Sequence, residues 1–136
     1  MEYSSSYTAK TITKNTKPEI TNQIITPTNY TANGGTYTNY LSLSYTLNKN
    51  SGTLLTYVKI GSNVIKTLST TVTSSSTVVK LNINEYLKGY YKDAELSYSV
   101  YSIFNDGIEN SSQSAATTYK ISSSPVITKW ENELGE

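Results

Sequence analysis

Four carboxylates in two close pairs, Asp93 with Glu95 and Asp106 with Glu109, are the first residues to weigh for chemistry. Each pair stands where the chain should turn, and loop carboxylates of a β-sandwich can hold calcium. That ion needs about six to eight oxygen ligands, and no Asp-x-Asp-x-Asp spacing supplies them. A glycosidase needs two acids about 5 to 10 Å apart in a cleft, whereas Glu19, Glu85 and these four are scattered through polar surroundings. Turn chemistry and solubility account for them.

Three missing residue types narrow the chemistry further. Without Cys there is no disulfide and no thiolate; without His, the usual general base and the commonest metal ligand are gone. Without Arg there is no bidentate grip on phosphate. The 20 Ser and 21 Thr have no His to activate them, and no Ser-x-x-Lys pairing occurs. No catalytic residue, metal ligand or cofactor site is assigned, and the expectation is a chain that is not an enzyme and needs no cofactor. Eleven Lys against ten acids leave a net charge of +1 with no dense basic patch. Nucleic acid is therefore not an expected partner, since its binding rests on clustered cations.

What remains is contact chemistry. Thirteen Tyr supply nearly all the aromatic content, beside one Phe and one Trp. Tyr offers a large contact area for little conformational entropy, and Tyr with Ser, Thr and Asn is a composition of binding loops. Tyr30 and Tyr37 flank the Asn33-Gly34-Gly35 loop, Tyr90 and Tyr91 lie in an irregular link, and Tyr40 and Tyr86 complete the group. Packing on sheet faces is their other use. In the C-terminal segment, Ile127, Trp130 and Leu134 fall at i, i+3 and i+7, one face of a helix. The candidate interaction residues are thus Trp130, Ile127, Leu134, Tyr90, Tyr91, Tyr30 and Tyr37. Two sequons, at Asn29 and Asn110, are expected by accident in so Ser-, Thr- and Asn-rich a chain.

The elements that must position these residues read as strands. Thr and Tyr favour strands, Asn and Ser favour turns, and the residues of long helices are scarce. Residues 1–17 are a polar arm that is either disordered or ordered by a neighbouring subunit. Pro18 to Thr26 opens the fold as an edge strand, and Thr28 to Thr38 is a loop or short hairpin. Tyr40–Leu47 alternates Leu41, Leu43, Tyr45 and Leu47 against Ser42, Ser44 and Thr46. Leu54–Ile60, Val64–Val72 and Thr77–Ile83 follow as strands, and Glu85 to Lys88 makes one helical turn between sheets. Leu96 to Phe104 places Leu96, Tyr98, Val100, Ser102 and Phe104 on one face, and Asp106-Gly107 turns it tightly into a return strand, Ser114 to Ile121. Seven strands at such spacing describe an all-β, two-sheet antiparallel sandwich. Leu41, Leu43, Leu81, Val100 and Phe104 should face one another in its core.

Over residues 18–121 the chain resembles the immunoglobulin-like and fibronectin type III-like superfamily. The resemblance rests on the proline-led first strand and on Tyr98-Ser-Val-Tyr-Ser-Ile-Phe-Asn-Asp-Gly107. It implies that Tyr98 is a corner tyrosine whose hydroxyl bonds backbone upstream. Two features depart from the pattern: no Trp stands on a core strand, and the link before Tyr98 is long. Residues 122–136 are a docking tail or the start of a further module, because Pro18-Glu-Ile-Thr21 recurs as Pro125-Val-Ile-Thr128.

The N-terminus lacks the pattern of a signal peptide, and no apolar run approaches the 18 residues of a membrane span. Sandwiches of this kind are often appended to bacteriophage capsid, neck, tail and baseplate proteins. The expectation is a non-enzymatic virion protein that docks on neighbouring capsid or tail subunits. The alternative is a module of a bacterial cell-surface adhesin or carbohydrate-binding protein, extracellular and directed at host glycans.

Overall fold

The structure, a computed structural model, describes residues 15–32, 34–90 and 95–122. The described residues form seven strands: β1 (Ile20–Ala32), β2 (Gly35–Leu47), β3 (Gly52–Ile60), β4 (Asn63–Val72), β5 (Ser76–Asn82), β6 (Glu95–Asn105) and β7 (Thr117–Ser122). A single helical turn, α1 (Ile83–Tyr86), follows β5 and is capped by the Asn82 side chain. Two antiparallel sheets result, ordered β1-β2-β5 and β4-β3-β6-β7. The expected all-β two-sheet sandwich is borne out; the helical turn between the sheets forms at Ile83–Tyr86 rather than at Glu85 to Lys88, because Asn82 caps it directly after β5.

Alternation decides which residues meet between the sheets. Leu41, Leu43, Tyr45 and Leu47 of β2 and Val79 and Leu81 of β5 face Leu54 and Val58 of β3 and Tyr98, Val100 and Phe104 of β6, all buried. Polar groups share this core and are paired. Ser102 Oγ donates to Tyr45 Oη at 2.7 Å and lies 2.9 Å from Thr56 Oγ1. Burial pushes the Tyr45 hydroxyl above its usual value, as it does the Tyr98 hydroxyl.

Three local expectations need correction. Pro27 does not end the first strand: β1 runs through it, because β1 is an edge and Pro27 owes no hydrogen bond on its free side. The stretch after Pro27 is the far half of a long hairpin in which Tyr30 pairs with Tyr37. The tight turn at Asp106-Gly107 does form, with the Asp106 N–H on the Glu109 carbonyl at 3.2 Å and Asn105 bridging Asn110, but it does not lead straight into the expected return strand. Asp106 Oδ1 accepts the N–H groups of Ile108 and Glu109, both at 2.9 Å, and the return strand begins only at Thr117. Between them Ser111 and Ser114 clamp β6: each donates its N–H to a β6 carbonyl and accepts a β6 N–H on its hydroxyl.

Candidate functional site

The two ends of the sandwich are built differently, and each handles one end of the folded chain. At the hairpin end, β2 carries one extra residue, Asn39, between the pairs Thr28 with Tyr40 and Asn29 with Thr38. Such a bulge bends the strand, and it turns the hairpin tip toward β6 and β7. Tyr30 Oη donates to the Ser122 carbonyl at 2.6 Å and accepts the Ser122 N–H at 2.9 Å. Tyr37 Oη donates to Glu95 Oε1 at 3.0 Å, and Lys120 Nζ lies 3.2 Å from the other oxygen. Those two contacts hold the Glu95 carboxyl below its ordinary value, the tyrosine bond being the larger cause, and the same bond raises the Tyr37 hydroxyl. The Tyr98 hydroxyl bonds the Thr38 carbonyl at 2.8 Å. Its partner is upstream as expected, but 60 residues away in the opposite sheet rather than at a nearby corner. Tyr37 is buried and Tyr30 half-buried, so both hydroxyls are engaged within the domain.

At the other end the chain enters. Asn15 Nδ2 donates to Asp106 Oδ2 at 2.8 Å and to Glu109 Oε2 at 3.0 Å, and Lys49 Nζ donates to Asn15 Oδ1 at 3.1 Å. Lys49 also pairs with Asp106 at 2.5 Å. The Lys49 ammonium first, then Asn15 and the turn N–H groups, hold the Asp106 carboxyl far below the usual carboxylate range. Asn48 accepts the Glu19 N–H and donates to the Lys17 carbonyl, and Pro18 is buried. The acids weighed first for chemistry are therefore split: Glu95 serves one end, Asp106 and Glu109 the other, and Asp93 lies outside the described residues. Among the described residues no group of three or more metal-ligating side chains forms.

The outer faces of the two sheets also differ. On the β4-β3-β6-β7 sheet, Tyr57 and Tyr101 stack with ring centroids 5.0 Å apart, and Lys59 Nζ stands 5.6 Å over the Tyr101 ring. These aromatic faces already have partners. The outer face of β1-β2-β5 is four cross-strand rungs, from Asn22-Thr46-Ser76 to Thr28-Tyr40-Asn82, and Lys80 is its sole charge. A groove of about 460 Å³ opens here. Its lining includes Tyr40, Tyr86, Ser42, Thr28, Asn82 and Lys80. Tyr40 is 42 % exposed. Lys66 Nζ sits 5.3 Å over the Tyr86 ring, which helps to fix it at the end of the groove. Among the described residues Lys80 makes no ion pair. The groove offers phenol rings, hydroxyls, a carboxamide and one free ammonium.

The sequence singles out Tyr40 and Tyr86 but not Lys80, Ser42, Asn82 or Thr28. Alternation along β2 and β5 marks those side chains as outward; only the pairing of Ser42 with Lys80 brings them together. Tyr90 is 56 % exposed beyond α1. Tyr91, Ile127, Trp130 and Leu134 lie outside the described residues. Comparison of the chain with protein-family models, with curated proteins and with solved structures gave no match.

Proposed function

We propose that the chain is a non-enzymatic structural and interaction module, of the immunoglobulin-like or fibronectin type III-like kind, carried by a virion protein of a tailed bacteriophage. The observation that carries this reading is the path of the chain. It enters at the Asn15–Asp106 end and leaves at Ser122, the opposite end of β6. Eleven residues of β6 separate the two, about 33 Å at the usual rise. Whatever is attached to the segments before Asn15 and after Ser122 is held apart along one axis, as a spacer or decoration in an elongated particle requires. Strand pairing supports the kind of module: β1–β2, β2–β5, β3–β6 and β6–β7 correspond to pairs of the constant-type immunoglobulin sandwich, while β4 departs by joining β3. Neighbouring capsid or tail subunits are the proposed partners. Mass spectrometry of purified particles tests it: the chain is expected at a fixed ratio to the capsid or tail protein, and its absence overturns the reading.

A second reading, a module of a bacterial surface adhesin or carbohydrate-binding protein, is favoured by the open tyrosine-lined groove on β1-β2-β5. Its localisation would be extracellular.

A further inference from the structure

We infer that the groove between Tyr40 and Tyr86 is a binding site for one acidic pyranose of a glycan, with Lys80 selecting the sugar carboxylate. The inference rests on the carbohydrate-binding reading and adds the site, the ligand class and the selecting residue. Three observations carry it. First, the groove has one exposed phenol ring, Tyr40, as its platform, while the half-buried Tyr86 ring, with Lys66 over one face, closes its end. The C–H face of a pyranose stacks on such a ring, and the exposed Ile24 and Val78 of the same outer face lie in a separate rung, outside the groove lining. Second, the lining also includes Ser42 and Thr28, whose hydroxyls donate and accept, and Asn82, whose Oδ1 caps α1 and whose amide NH2 is left to donate. Hydroxyls of a sugar need such partners, and a pocket of mixed aromatic and sparse polar character is the common form of a small-ligand site.

Third, the face holds a single charge, the Lys80 ammonium, with no acid to neutralise it among the described residues. Five of the other six described lysines, all but Lys17, are occupied: Lys49 by Asp106, Lys120 by Glu95, Lys88 by Glu85, and Lys59 and Lys66 over tyrosine rings. An unpaired cation beside an open aromatic groove is complementary to a carboxylate that lies next to a sugar ring, as in uronic and sialic acids. The Tyr57–Tyr101 pair on the other sheet does not compete for this role, since each ring is covered by the other and Tyr101 also by Lys59.

The test titrates the full chain with the methyl glycosides of galacturonic, glucuronic and N-acetylneuraminic acids, and with those of galactose and glucose, while backbone amides are followed by NMR. At least one acidic glycoside should shift the amides of Tyr40, Ser42, Lys80 and Asn82, and bind about fivefold tighter than its neutral counterpart. Lys80→Gln should remove that preference and leave the neutral affinity unchanged. Tyr40→Ala should abolish both, and Lys59→Gln should change neither; all three side chains are at the surface, so the fold survives. Equal binding of acidic and neutral glycosides, unaffected by Lys80→Gln, overturns the acidic-sugar inference and leaves the carbohydrate reading standing. No shift with any glycoside up to tens of millimolar overturns both. Shifts centred on Tyr57 and Tyr101 overturn the assignment of the site.

Discussion

The two ends of this sandwich do the same job with opposite chemistry. Where the chain enters, it is held by an ion pair and a carboxamide bridge around a carboxylate that also organises its own turn. Where it leaves, it is held by tyrosine hydroxyls laid against backbone and a surface carboxylate. The entry end is tightly shaped as well as charged. Gly52 has φ +139°, and a Cβ there would stand 2.3 Å from the Asn105 carbonyl oxygen and 2.8 Å from the Phe104 ring. At the hairpin tip Gly34, φ +81°, faces open space. One end is a packed electrostatic lock, the other a hydrogen-bonded flap. The lock should respond to volume and charge, and the flap to the loss of single hydroxyls.

Alanine at the two glycines gives the widest separation. Gly52→Ala adds steric overlap to backbone strain and should cost about 3 kcal/mol or more. Gly34→Ala meets strain alone, about 1 kcal/mol. Urea unfolding midpoints measure both, and equal losses would show that the entry end is not the more closely packed. Next comes Tyr30→Phe, which removes both bonds to the buried Ser122 backbone and should cost about 1 to 3 kcal/mol. Amide exchange should rise at Ser122 while Asn48 and Ser111 stay protected; a rise at all three would mean that the flap does not open by itself.

Asp106→Asn keeps one oxygen to accept the Ile108 and Glu109 N–H groups, but turns an amide NH2 toward the Lys49 and Asn15 donors. It so loses both their hydrogen bonds and the charge opposite Lys49, a cost comparable to that of Tyr30→Phe. Its signature is pH dependence. An aspartate whose folded value lies below its unfolded one stabilises the fold above about pH 4, and the contribution is lost as pH falls toward the folded value. The gap between wild type and variant is therefore full near neutrality and should close in acid. Denaturation midpoints at a series of pH values check this, and a gap that widens in acid would refute it. Carboxyl NMR should also show Glu95 protonating before Asp106, since Asp106 is the more strongly held. The smallest effect is expected from Lys120→Ala. Its pair with Glu95 is half-exposed on both sides, and unfolding should not change measurably.

The same contrast explains what could be read in the sequence. Alternation within a strand is a local property, so Leu41 to Leu47 and Tyr98 to Phe104 declare their buried faces without a structure, and seven strands with their sandwich follow. The clasps are not local. Asn15 meets Asp106 across 91 residues, and Tyr30 meets Ser122 across 92. Nothing in the spacing of either pair announces the contact. The bulge at Asn39 also breaks the alternation that would have extended β2 to Gly35, so Tyr37 and Thr38 are both buried where a regular strand would bury one. Composition assigned Tyr30 and Tyr37 to binding, and the structure engages their hydroxyls within the domain. Of the groove, the sequence contains both tyrosines but not their meeting, which depends on β2 pairing with β5 and on α1 following at once.

The serine clamp on β6 has a consequence for aggregation. β7 pairs with β6 only as far as Val100, so the backbone groups of Ser102 and Phe104 on that side would form a bare sheet edge. Bare edges recruit strands from other molecules. Ser114 takes both groups of Ser102, and Ser111 both groups of Phe104, each with one N–H and one hydroxyl. The chain thus fills the vacancy with two residues instead of a continued strand. The segment from Ser111 to Ala116 is left as irregular coil that cannot itself be extended into a ladder. A chain this rich in strand-forming Thr and Tyr gains solubility from that substitution without adding a charge.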